Sequence, residues 1–316
     1  MFNRLMKVNF IIGMVLCVLL IVLTTGCIKE REELPTKGQT SIIVDEAVSP
    51  VITVEKDTFE ELYQKAKVRL KIAEARDAFV QFFNNESTKV IVTSRTLNRE
   101  EREVAKRSNL TLSDYKVAVG AVAIIVHPDN PITQVRTTQL DSIFRGTITR
   151  WDELGWRHSP AKIGVNLPDQ NSGVLETVRM KILHGDPVAI PANTVAGSLT
   201  MIQYVATHST ALGMVSNVWL REKHDSVNVL SLCDPAAPES LNISGRYFSP
   251  HQAYIYEHYY PLTQDIFIYS RSDMYNVGAG FISFVTSAAG QKIALGNGLV
   301  PATMPVRIVE LSKRGL

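Results

Sequence analysis

The sequence predicts an α/β fold, and three observations carry that prediction. Short apolar runs such as Ser41 to Val44, Val90 to Val92 and Ala211 to Val215 recur between segments whose apolar residues fall at helical spacing. Strands alternating with helices argue for largely parallel sheets covered by helices. The stretch beyond residue 26 holds about 290 residues, enough for two packed domains.

The elements follow in order. Ser41 to Val44 reads as a short strand, and Thr58 and Glu61 have capping-box spacing for a helix running to about Ala66. Val68 to Ile72 is a strand. Ala75 to Phe83 is a helix with Ala75, Ala78, Phe79 and Phe82 on one face. After the strand Val90 to Val92, Asn98 caps a charged helix over Arg99 to Lys106. Tyr115 to Val126 is a long strand, stopped by Pro128 and Pro131. Thr138 opens a helix with Leu140, Ile143 and Phe144 aligned, and Ile163 to Val165 is a strand. Ser172 to Leu183 and Ser198 to Ala206 are helices, the latter with Leu199, Ile202 and Ala206 aligned. Ala211 to Val215, Val227 to Leu232 and Asp265 to Tyr269 are strands, and Phe281, Phe284 and Val285 mark a last apolar helix face.

The amino terminus has a different character. Arg4 and Lys7 precede an apolar run from Val8 to Leu23, and small residues then lead to Cys27. This is the pattern of a secretory signal, residues 1–26. Its end is similar to a bacterial lipobox, which implies cleavage before Cys27, a lipid such as palmitate on its thiol, and a body tethered to a membrane outside the cytoplasm. An uncleaved anchor helix is the alternative, because the run approaches spanning length. Residues 27–40, charged and containing Pro35 and Gly38, read as a flexible tether.

Charge and cysteine content narrow the function. The chain has 33 Lys+Arg and 31 Asp+Glu; losing Arg4 and Lys7 leaves 31 of each, a net of zero. No basic excess argues for nucleic acid. Cys17 lies in the signal, so only Cys233 remains in the body and no disulfide can form there. The seven histidines lack metal-ligand spacing, and neither a nucleophile elbow nor a phosphate-cradling Gly-Lys-Ser/Thr is present. No cofactor and no catalytic set are expected.

Seven segments stand out: Thr93-Ser94-Arg95-Thr96-Leu97, the run from Val117 to Pro131, Thr138-Gln139-Leu140-Asp141-Ser142-Ile143-Phe144-Arg145-Gly146 with Ile148-Thr149-Arg150-Trp151, Asn171-Ser172-Gly173, Ala211-Leu212-Gly213-Met214-Val215-Ser216, Tyr260-Pro261-Leu262 and Phe281 to Pro301. Together, and in this order, they resemble the substrate-binding proteins of phosphate ABC transporters. The resemblance implies a bilobed type II periplasmic-binding-protein fold, two α/β domains joined by a two-stranded hinge. Residues 41–126 plus 262–316 would form one domain and 127–261 the other, with an oxyanion held in the cleft at helix amino ends.

The resemblance also nominates ligand residues: Ser49, Arg76, Ser94, Arg95, Asn171, Ser172 and Gly173. The family's usual donors are thinned here. The second loop reads Ala73-Glu74-Ala75-Arg76-Asp77 in place of glycines, Leu167-Pro168 stands where the family has an arginine, and Val174 replaces its threonine. Arg95 has Glu100 and Glu101 as rival partners, and Arg76 has Glu74 and Asp77. Glu46 and Glu74 are candidate salt-bridge partners for these arginines. The expected function is capture of a small oxyanion, phosphate first, by a monomer that passes it to a membrane permease. The alternative is a surface or sensory protein that keeps the fold with a degraded or changed site.

Overall fold

The computed structural model describes residues 33–156, 160–221, 226–271 and 275–303. The signal segment and Cys27 lie outside the described residues.

Strand β1 (Gly38–Asp45) begins earlier than expected. It follows a tight turn in which Leu34 and Lys37 exchange backbone hydrogen bonds. Residues 33–40 are therefore not free tether: Pro35 sits so close to Gly280 that a Cβ there would collide with the proline carbonyl. Helix α1 (Ser49–Leu62) corrects a second expectation. Thr58 lies inside this helix and its hydroxyl donates to the Val54 carbonyl. Pro50, whose fixed φ suits a first helical turn, marks the true start.

Next come β2 (Ala66–Ala73), α2 (Ala75–Asn84), β3 (Val90–Thr93), α3 (Arg99–Arg107) and the long β4 (Leu112–Val126). Then follow β5 (Gln134–Arg136), α4 (Thr137–Arg145), β6 (Gly164–Leu167), α5 (Gly173–Lys181), β7 (Asn193–Thr194), α6 (Ser198–Thr207) and β8 (Ala211–Ser216). The chain closes with β9 (Asn228–Val229), β10 (Ser231–Cys233), α7 (Gln252–Tyr256), β11 (Thr263–Arg271), α8 (Val277–Thr286), α9 (Ala288–Gly296) and β12 (Val300–Pro301).

The main sheet runs β2-β1-β3-β11-β4-β8-β6-β7. β1 is parallel to β2 and β3, and β6 is parallel to β8. β11 runs antiparallel between β3 and β4. β4 serves both halves of the molecule: Leu112 to Ala121 pair with β11, and Val122 to Val126 pair with β8. Two cores lie on either side of that change. One gathers Ile42, Val92, Phe59 and Phe281, with the two rings 5.6 Å apart edge to face. The other gathers Leu140, Phe144, Trp151, Leu212 and Met214.

The second crossing lies beside the first. Val122 donates its N–H to the Leu262 carbonyl at 2.8 Å, and the buried Tyr260 hydroxyl donates to the Val122 carbonyl at 2.7 Å. This is the bilobed type II arrangement. The apolar faces expected on α2 and α4 are buried throughout. In α6 the face is turned: Met201, Ile202 and Val205 are buried and Leu199 is 41% exposed. Gly213 of β8 is the reason, since a Cβ there would meet Val205 and Met201.

Candidate functional site

Four chain ends meet between the lobes: the end of β1 at Asp45, the β2–α2 junction at Glu74 and Ala75, the end of β3 at Ser94, and the β6–α5 loop from Asp169 to Gly173. Each lies at the carboxyl end of a strand of the main sheet, where α/β folds place their ligands. Gly173 is the contact point. A Cβ there would strike Ser94 Oγ and come within 3.1 Å of Asp45 Oδ2 and 3.3 Å of the Ala75 methyl, so only glycine lets the lobes approach this far.

The polar groups at this junction are already engaged. Asp45 is fully buried, and its Oδ2 accepts the Ser94 N–H at 2.9 Å and the Ser94 hydroxyl at 2.6 Å. Its Oδ1 accepts the Ala47 N–H at 3.1 Å. Desolvation pushes the Asp45 carboxyl above its usual range, against the opposing pull of the Ser94 bonds. Next to it, Glu46 crosses the cleft and caps α6: Ser198 donates its N–H at 2.8 Å and its hydroxyl at 2.9 Å to the two carboxylate oxygens. That places an anion at the positive end of a helix.

Further bonds join the lobes at this junction. Asn171 accepts the Arg76 N–H at 3.1 Å, and its side-chain amide donates to Asp77 at 3.1 Å. Gln264 donates through Nε2 to the Gly173 carbonyl at 3.1 Å and to Thr177 Oγ1 at 3.0 Å. Ser172 caps α5 by accepting the Val174 N–H at 3.2 Å. Glu74 stands at the edge of this set. Burial, and then the charges of Asp45, Glu46, Asp169 and Asp77, push its carboxyl up to about 8.

Of the nominated residues, Ser94, Asn171, Ser172 and Gly173 come together. Arg95 lies beside them, buried, chelating Glu101 through two nitrogens at 2.8 and 2.7 Å and pairing with Glu176 across the lobes at 2.7 Å. Of its rival acids Glu101 holds it, and Glu176 is a partner the sequence did not suggest. Ser49 is buried and donates its hydroxyl to the Glu46 carbonyl at 3.0 Å. The Arg76 side chain is exposed and forms no ion pair among the described residues; Asp77 serves Asn171 instead. Glu46 and Glu74 do not bridge to the arginines, because Ser198 holds the first and like charges surround the second. Sequence reasoning missed the roles of Asp45, Ser198 and Gln264. An acid directly after a strand and before a helix was the one available sign, and it marks caps as well as sites.

Beside this junction a groove of about 430 Å³ opens between α3, α5 and the start of β11. Ser94, Arg95 and Gln264 line it together with Arg99, Arg102 and Lys181.

A two-lobed α/β body with strand ends and helix starts facing across a hinge defines a solute-binding protein. The chain belongs to the periplasmic-binding-protein superfamily: the family model described as "PBP superfamily domain" matches residues 29–289. The phosphate-binding protein PstS of Pseudomonas aeruginosa is 21% identical over 287 residues, covering 86% of this chain and 85% of that one. The PstS of Staphylococcus saprophyticus is 21% identical over 239 residues, covering 75% and 72%. In structure, a Clostridium perfringens phosphate ABC transporter substrate-binding protein with bound phosphate aligns with a TM-score of 0.71 at 20% identity, over 84% of this chain and 99% of that one. An ABC-type phosphate transport receptor from Vibrio cholerae aligns with a TM-score of 0.62 at 20% identity, over 84% and 100%. The family is one of substrate-binding transport proteins, not of enzymes.

Proposed function

We propose that this protein captures a small oxyanion, phosphate first, between its lobes and delivers it to the membrane permease of an ABC transporter. The observation that carries the reading is the meeting of Ser94 with Gly173 and the α5 amino end across the lobes, where strand ends and a helix start converge. The phosphate-binding names of the relatives support it. The nominated contacts are Ser94, Arg95, Asn171, Ser172 and Gly173, with Ser49 and Arg76 behind them. The expected lobes are residues 41–126 plus 262–316 and 127–261; the change of partners of β4 at Ala121–Val122 supports moving the first crossing there. The protein acts outside the cytoplasm as a monomer, held to a membrane by lipid on Cys27. No helix among the described residues is long and apolar enough to cross a membrane.

A second reading rests on the acids. Asp45 and Glu46 already occupy backbone and hydroxyl donors that an oxyanion would use. That favours a changed ligand site on the retained fold. Calorimetry with phosphate and sulfate decides between the readings. Saturable phosphate binding that weakens in Ser94→Ala and Ser172→Ala supports the first. A folded protein that binds no anion supports the second.

A further inference from the structure

The groove beside the Ser94–Gly173 junction has a charge pattern of its own. Arg95 is neutralised by Glu101 and Glu176. Asp265, the other acid on the wall, is paired with Lys116 at 2.8 Å. Arg99 and Arg102 of α3 and Lys181 of α5 have no carboxylate within ion-pair distance among the described residues. Three cations that make no ion pair among the described residues therefore line one cavity, two from the first lobe and one from the second, against the one surplus negative charge that the Glu101–Arg95–Glu176 set leaves on the wall. The Lys181 ammonium donates to the Pro261 carbonyl at 3.1 Å and to Thr263 Oγ1 at 2.6 Å, which fixes it at the hinge and leaves a third donor. Asn98, Thr96 and Thr177 add neutral polar groups to the wall.

Size separates this groove from the junction. At about 430 Å³ it falls in the range that accommodates organic ligands, and it exceeds what one tetrahedral ion fills. At the junction, by contrast, Gly173 and Ser94 touch and Asp45 holds the donors.

We propose that this groove is a ligand site of its own beside the junction and that it takes an organic phosphomonoester, its phosphate between Arg99, Arg102 and Lys181 and its hydroxylated part against Asn98, Thr96 and Thr177. Guanidinium forks and an ammonium suit a dianionic phosphate. A ligand gripped from α3 and α5 together draws the lobes shut, so closure and binding are coupled. The inference goes beyond the oxyanion-capture reading, which keeps the Ser94–Gly173 junction as its site.

The test is calorimetry on the full chain with glycerol 3-phosphate, inorganic phosphate and malate. The comparison is between the native protein, the Arg99→Ala/Arg102→Ala pair and Lys181→Met. Arg102→Lys serves as a charge-retaining control, and thermal melts confirm folding. The expected result is glycerol 3-phosphate binding at least tenfold tighter than inorganic phosphate, weakened at least tenfold by the paired substitution and by Lys181→Met, and largely kept in Arg102→Lys. Inorganic phosphate binding that ignores these substitutions but is lost in Ser94→Ala, with no glycerol 3-phosphate binding, overturns the groove and leaves oxyanion capture standing. Malate binding tighter than glycerol 3-phosphate overturns the phosphomonoester class. A folded protein that binds none of the three overturns both.

Discussion

Asp45 and Ser94, 49 residues apart in the chain, are joined twice: one carboxylate oxygen accepts both the backbone N–H and the hydroxyl of Ser94. A negative charge built into the chain therefore sits where this fold gathers its donors. Asp45→Asn removes that charge and keeps the shape. The expected outcome is a loss of about 1–3 kcal/mol in stability, since a buried hydrogen bond to a charged acceptor is weakened. Phosphate affinity at the junction is expected to rise about tenfold as the repulsion disappears, a change of about 1.4 kcal/mol. Chemical denaturation and calorimetry on the same variant check both halves.

The Glu46–Ser198 cap ties the lobes together from the other side. Ser198→Ala deletes the hydroxyl donor and leaves the backbone bond. It is expected to cost about 1–2 kcal/mol, as loss of a charged hydrogen bond does. Small-angle scattering is expected to show a larger radius of gyration without ligand. An unchanged radius would mean that Glu46 serves α6 alone and does not hold the cleft.

Gly173→Ala forces a methyl group into Ser94 Oγ. Overpacking of this kind costs about 1–3 kcal/mol. Because the collision is between lobes, the variant is expected to keep its secondary structure by circular dichroism and to lose closure by scattering.

Acidity has a definite sign here. Glu74 is pushed up to about 8 from the ordinary glutamate value of 4.5, and burial also raises Asp45, Glu46 and Glu55. A carboxyl with a raised folded-state pKa gives stability that is fully present below its unfolded value and is lost as pH rises through its folded value. The melting temperature is therefore expected to fall steadily from pH 5 to pH 9. Anion binding at the junction is expected to weaken over the upper part of that window, as Glu74 gains its charge. A melting temperature that rises with pH would contradict these assignments.

Glu55 offers a separate check away from the cleft. It is 1% exposed among Val48, Val51, Ile52 and Leu299, and its Oε2 has no hydrogen-bond partner among the described residues. Glu55→Leu replaces a desolvated carboxyl with an apolar group of similar size. It is expected to stabilise the protein by about 1–3 kcal/mol at pH 8, with a smaller gain as pH falls, because burial raises the Glu55 carboxyl and protonation relieves its desolvated charge.

The α/β class, most strand positions and the buried faces of α2 and α4 were legible in the chain because they are set by local periodicity. Ala75, Ala78, Phe79 and Phe82 repeat at helical spacing whatever surrounds them, and all four are buried. The Asn98–Glu101 capping box was legible for the same reason, and both of its bonds are present. The misplaced start of α1 shows the limit of such patterns. Thr58 and Glu61 have the spacing of a cap, yet the helix had already begun at Ser49.

What the chain could not reveal is which partner each polar group finds. Arg95 had acids nearby in sequence, but it also forms an ion pair with Glu176, brought in from the opposite lobe. Glu46 had arginines as candidates and found Ser198, 152 residues away. Such pairings depend on how two lobes close on one another, and no local period records that distance. By itself the sequence determined the layered fold and its buried faces, since these follow from the spacing of apolar residues along one chain. The tertiary structure alone decided that carboxylates fill the junction and that unpaired cations gather beside it, because charge is balanced between groups that meet only after folding.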